Sequence, residues 1–242
     1  MTTIFNIVAD DFLADLDAIA ELVAAVQRTG NSAKSRIASV NSSTLLLAAT
    51  FEEFIREMAR QYAREIVSRN TGTGQLPRKL AATAWKRTLE ELARAKIDTG
   101  GTPVSLETIA RNARLSFETI CSFMEGDREQ DIYGSLIHNE NNMRPNQLNA
   151  VFTISDLSDV CFKISDKPPL LNYFEDEDTG RVHGRLLIRL NDFIEKRNEI
   201  AHSLNLGNSS VPDQLVDDVG FFRALALSLS VTLPEHLPVS EA

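Results

Sequence analysis

The sequence predicts an all-α fold, and three observations predict it. Apolar residues recur at three- and four-residue spacing through most of the chain, the mark of amphipathic helices. Only 11 Gly and 8 Pro interrupt 242 residues, and helix-forming residues dominate the rest. No stretch alternates apolar and polar residues as a half-buried strand does, and no repeat or low-complexity linker divides the chain. The expectation is one helical domain over residues 1–242, with inserted loops and short extra helices.

Each element has its own signal. Leu13, Leu16, Ile19, Val23 and Val26 form a first stripe, closed by Gly30 as a C-cap. Leu47, Phe51, Phe54, Ile55, Met58 and Tyr62 mark a long second helix, ended by the turn residues Asn70 to Gly74. Trp85, Leu89 and Leu92 mark a third, stopped by Gly100-Gly101. Ser105, with Thr108 three residues on, is a helix start, and Phe117, Ile120 and Met124 follow on a further short helix before Gly126. Residues 126–147 are polar and aperiodic, which predicts a long loop with short helical turns. Pro168-Pro169 and the acidic run from Glu175 to Asp178 read as a second loop. Leu187, Leu190, Ile194 and Ala201 then stripe a helix over about 184–204, and Pro212-Asp213 opens the last long helix, through Val231.

The chemistry concentrates in Arg197-Asn198-Glu199-Ile200-Ala201-His202. A permanently charged guanidinium beside an imidazole, which as a class titrates near neutrality, suits work on a phosphodiester. At about 100° per residue, Asn198 falls near the centre of the stripe set by Leu187 and Ile194, with Arg197 and His202 on its flanks. An amide on a packing face needs a partner, and His202, four residues on, is within reach. Arg197 and His202 diverge by about 140° around one ideal helix. Either the helix ends or kinks near Ala201, or a second copy of the motif completes the site.

These residues resemble the HEPN superfamily of helical ribonucleases and nucleotide-binding modules. Two further segments are similar to its RiboL-PSP and MAE-type branch. Ser43 to Met58 runs small and leucine residues into the aromatic-flanked Glu52, and Asn141 to Phe152 is a polar, Arg-Pro-containing entry to a short helix. The resemblance covers roughly residues 40–70 and 140–205, and only the R-x4-H segment is functionally specific. It implies a HEPN-like helical bundle acting as a homodimer, a metal-independent RNA endonuclease of the toxin or phage-defence kind that needs no cofactor. A neutralising antitoxin or a defence partner protein is part of the same expectation. Arg197 and His202 take the family's catalytic positions, Asn198 that of the polar follower, and Glu52 that of a supporting glutamate. The alternative is a non-catalytic nucleotide- or protein-binding module of a toxin–antitoxin or defence assembly.

Composition sets the limits. A hydrophobic fraction of 43% with 24% charged residues is that of an ordinary globular protein. Residues 1–6 lack a basic and apolar leader, and no run approaches the roughly 18–20 apolar residues of a membrane span; a soluble cytoplasmic protein is expected. Cys121 and Cys161 offer neither a disulfide framework nor zinc-ligand spacing and read as buried thiols. The net charge of −9 excludes a general nucleic-acid binder. RNA would need a local basic cleft, for which Arg189 and Lys196, with Arg197, are nearest in sequence. Arg56, Arg60 and Arg64 form a row that could track a backbone, but the surrounding glutamates make it a salt-bridged face. His138 and His183 have no carboxylate or cysteine at ligand spacing and read as surface histidines, so no metal site is predicted. Gly72-Thr73-Gly74 is a turn, since the following Lys-Ser/Thr of a phosphate loop is absent.

Overall fold

The computed structural model describes residues 3–28, 30, 32–70, 76–94, 105–138, 142–202 and 211–239. These carry ten helices and no strand: α1 (Ile4–Arg28), α2 (Ala33–Arg69), α3 (Arg78–Arg94), α4 (Leu106–Glu125), α5 (Tyr133–Leu136), α6 (Pro145–Thr153), α7 (Val160–Ile164), α8 (Pro168–Phe174), α9 (Thr179–His202) and α10 (Pro212–Glu235). The all-α expectation holds among them. The predicted stops at 71–74 and at Gly100-Gly101 lie outside the described residues.

Local chemistry explains most boundaries. Ser32 caps α2 and Ser105 caps α4, each side chain accepting from the N–H three residues on. Gly126 closes α4 at φ 121°, a backbone conformation that L side chains rarely adopt. Pro168-Pro169, predicted as loop, instead opens α8, because a proline at the first helical position gives up only an N–H that has no intrahelical partner. The residues predicted to form a separate short helix, from Phe117 on, are the second half of one continuous α4. Pro212 opens α10 as expected, and the helix runs on to Glu235.

Helices α1, α2 and α10 form the centre, and α9 lies against α2, α6, α7 and α8. Aromatic rings tie these layers together. Phe12 stacks on Phe54 at 4.3 Å, while Phe222 of α10 lies 4.5 Å from Phe51 of α2 and 4.6 Å from Phe193 of α9. Tyr62 donates to the carbonyl of His236, tying α2 to the end of α10. Buried side chains from Phe5 to Leu233 make one contiguous core. Leu89, predicted to line the third stripe, is 55% exposed. α3 instead packs through Leu80, Ala84 and Thr88, and Trp85 meets Phe117 edge-on. No helix among the described residues is long and apolar enough to cross a membrane.

Candidate active site

The face by which α9 packs is set by Val182, Leu186, Leu190, Phe193 and Ile200, with Ile194 at its edge. Phe193, wedged edge-on against Phe222, moves the centre of this face away from Leu187. At about 100° per residue, Arg197 then falls near the centre, Asn198 on one flank and His202 on the far side. The predicted positions of Arg197 and Asn198 are therefore exchanged. Arg197 and Asn198 are half-buried, and His202, the last residue of α9, is exposed. α9 continues through Ala201, so the two motif side chains diverge on one helix.

The partner of the motif comes from the segment before α6. Pro145 occupies the first turn of α6 and holds Arg144 extended, at φ −69° and ψ 163°. Met143 is fully buried, and its neighbours Asn142 and Arg144 both reach α9. Arg197 Nη1 donates to Asn142 Oδ1 at 2.9 Å and to Asn198 Oδ1 at 3.0 Å, and Asn142 Nδ2 donates to Asn198 Oδ1 at 2.9 Å. Arg144 Nη1 donates to Asn191 at 3.2 Å and to Glu195 at 3.4 Å. Asn198 thus finds its partners in Asn142 and Arg197, where the helical spacing had pointed to His202. Among the described residues Arg197 makes no ion pair. Neutral amide oxygens orient the guanidinium, and no described carboxylate pairs with it, an arrangement that can receive an anion.

Arg189 and Lys196 lie on the other flank of α9, facing α10. Arg189 Nη2 donates to Asp218 at 2.6 Å and to Asp217 at 2.7 Å, its Nε donates to Tyr173, and its guanidinium lies over the Phe221 ring. Asp218 is fully buried, and burial pushes its carboxyl above the usual range despite Arg189. Lys196 faces the same carboxylate, and its own burial holds its ammonium below the usual lysine range. Arg189, expected near the substrate, pairs with Asp217 and Asp218, because a buried carboxylate needs a counter-charge. Glu52 Oε2 pairs with Arg56 at 3.3 Å along α2, and its buried Oε1 has no hydrogen-bond partner among the described residues. Its hydrogen bonds do not extend to Arg197 or His202.

The arginine row and Cys161 lie as expected, whereas Cys121, expected buried, and His183, expected at the surface, are both half-buried. Arg56, Arg60 and Arg64 pair with Glu52, Glu53, Glu57 and Asp131 as a charged ladder. Cys161 is buried and its thiol pushed up to about 12, chiefly by that burial, while Cys121 is half-buried. His138 is exposed, and the half-buried His183 packs edge-on against Phe162. No group of three or more His, Cys, Asp or Glu among the described residues is placed to hold a metal ion.

With this geometry in view, the comparison with known families is decisive for kinship. The family model RiboL-PSP-HEPN matches residues 10–233. The chain belongs to the RiboL-PSP HEPN family. The match takes in α2, the Asn142–Arg144 segment and the whole of α9, so the residues that resembled the family one by one lie inside a single continuous likeness. Neither a curated protein nor a solved structure gives a significant match to the chain.

Proposed function

We propose that this HEPN chain is a metal-independent endoribonuclease, of the toxin or phage-defence effector kind, with an Arg197–His202 site shared across a homodimer. The observation that carries the proposal is the half-buried Arg197, oriented by Asn142 and Asn198 and paired with no carboxylate among the described residues. A phosphate of RNA is the anion that such a fork fits, and it would gain charge as the reaction proceeds. His202 removes the proton of a ribose 2′-OH, and the 2′-oxygen attacks the adjacent phosphorus. The bond from phosphorus to the 5′-oxygen breaks, and a second imidazole protonates the leaving oxygen. Arg197 neutralises the charge on the transition state, a contact of a kind worth about 3 kcal/mol. Asn142 and Asn198 act by holding Arg197.

Incubating purified protein with total RNA, with and without EDTA, tests the activity. Cleavage that persists in EDTA is expected, and RNA left whole under all conditions would return the chain to the class of non-catalytic nucleotide- or protein-binding modules. Any antitoxin or defence partner would act by covering this site.

The divergence of Arg197 and His202 is what supports the dimer. Two copies meeting across a two-fold axis would supply two arginines and two histidines to one groove. Sedimentation equilibrium should find about twice the 26.8 kDa chain mass, with at least about 1,000 Å² buried in all. A stable monomer that is fully active on RNA would contradict the shared site.

A further inference from the structure

An open cleft of about 680 Å³ runs between α6, α7 and α9, and it begins where the motif's support ends. Arg144 lines it and donates to Asn191, another lining residue, two positions after the Asn142 that holds Arg197. Along α9, Asn191 lies roughly 9 Å from Arg197 and His183 roughly 21 Å. The cleft and the motif are therefore neighbours along α9, joined by the Asn142–Arg144 segment.

The lining has the composition of a base-binding slot. Phe162 stands 49% exposed at its wall, and the ring of His183 meets it edge-on at 5.4 Å and 84°. This contact steadies the phenyl ring, while half of its surface stays open to a ligand. Pro145 and Leu187 supply apolar contacts. Asn149 Oδ1 accepts from the Cys161 N–H, which fixes that amide and turns its NH2 into a positioned donor, and the Asp159 carboxylate supplies an acceptor. Arg144 has five N–H donors, of which Nη1 serves Asn191 and Glu195. A flat aromatic ring with polar edges and a nearby phosphate fits this set. A fully apolar ligand would leave the amides and carboxylate unsatisfied.

We propose that this cleft is a nucleobase subsite for single-stranded RNA, in which a base a few nucleotides from the cut stacks on Phe162 while Arg144 contacts its phosphate. The proposal rests on the ribonuclease reading, and deepens it by naming unpaired RNA as the substrate class. Asp159 and Glu195 offset the positive charge, so stacking carries more of the affinity than phosphate attraction does.

The test uses the His202→Ala chain, which leaves RNA whole, and fluorescence anisotropy of a short labelled single-stranded RNA. Adding Phe162→Ala should weaken binding about 5- to 150-fold, the loss of one stacked base. Phe162→Trp should keep the affinity, and thermal denaturation should find both variants folded. An abasic residue at one position of the RNA should reproduce the loss, and should cost the Phe162→Ala chain nothing more. Equal binding by the Phe162→Ala chain would overturn the subsite, and so would equal affinity for AMP and for the RNA strand. Wild-type cleavage separates the two claims. If the wild type cuts RNA but Phe162 does not matter, only the subsite fails. If Phe162 matters but the wild type cuts nothing, the nuclease reading fails and the base site stands.

Discussion

Replacing His202 or Arg197 with alanine is expected to lower RNA cleavage by at least about 10²- to 10³-fold, the range for losing a general acid–base group or a transition-state charge contact. Expression of the wild type should slow growth, and each variant should be tolerated. His202 is exposed and Arg197 bonds only to amide oxygens among the described residues, so both variants should remain folded by circular dichroism. Asn142→Ala should fall between them and the wild type, about 10- to 100-fold down, because it loosens Arg197 without removing it. Equal toxicity from the wild type and both motif variants would remove the basis for an Arg197–His202 site.

The largest effect on stability is expected from Arg189→Met. The change leaves Asp218 buried without its principal counter-charge, and breaking one side of such a pair costs about 3 to 5 kcal/mol. At roughly 2 to 4 °C per kcal/mol for a chain of this size, the melting temperature should drop by roughly 6 to 20 °C. The loss should depend on pH in a definite direction. Burial raises the Asp218 carboxyl, so the folded chain keeps its proton where the unfolded chain has released it. A raised carboxyl favours the fold at low pH, and that contribution is lost as pH rises through the folded value. Without Arg189 the carboxyl rises further, and the deficit of the variant against the wild type should be smaller near about pH 5 than near about pH 8. Differential scanning calorimetry across that range measures it. A pH-independent deficit, or none, would show that Asp218 does not depend on Arg189. The double variant Arg189→Met with Asp218→Leu should recover most of the loss.

Local signals were the legible ones. Ser105 and Gly126 bound α4 because a cap and a left-handed glycine act within a single turn, and Pro212 opens α10 for the same kind of reason. The motif helix was legible as a helix, but its orientation was not. Ala201 entered the predicted stripe and proved exposed, whereas Phe193, which sets the packing face, was omitted. Which apolar residues of an amphipathic helix dominate depends on what they meet, here Phe222 from α10. The support of the site was illegible for the same reason. Asn142 stands 55 positions before Arg197, and the Asn141–Phe152 segment had read as family texture without a role. Nor does the sequence around Arg189 point to its pairing with Asp218, 29 positions away.

The chemistry left on the RNA tests the central claim most directly. After digestion by the wild type in EDTA, the termini of the fragments should be mapped by their susceptibility to kinase and ligase. Attack by the neighbouring 2′-OH leaves a 2′,3′-cyclic phosphate and a 5′-hydroxyl, and a 2′-deoxy nucleotide at the cut position should abolish cleavage. Fragments with 5′-phosphate ends, or a strict requirement for Mg²⁺, would contradict an Arg197–His202 mechanism.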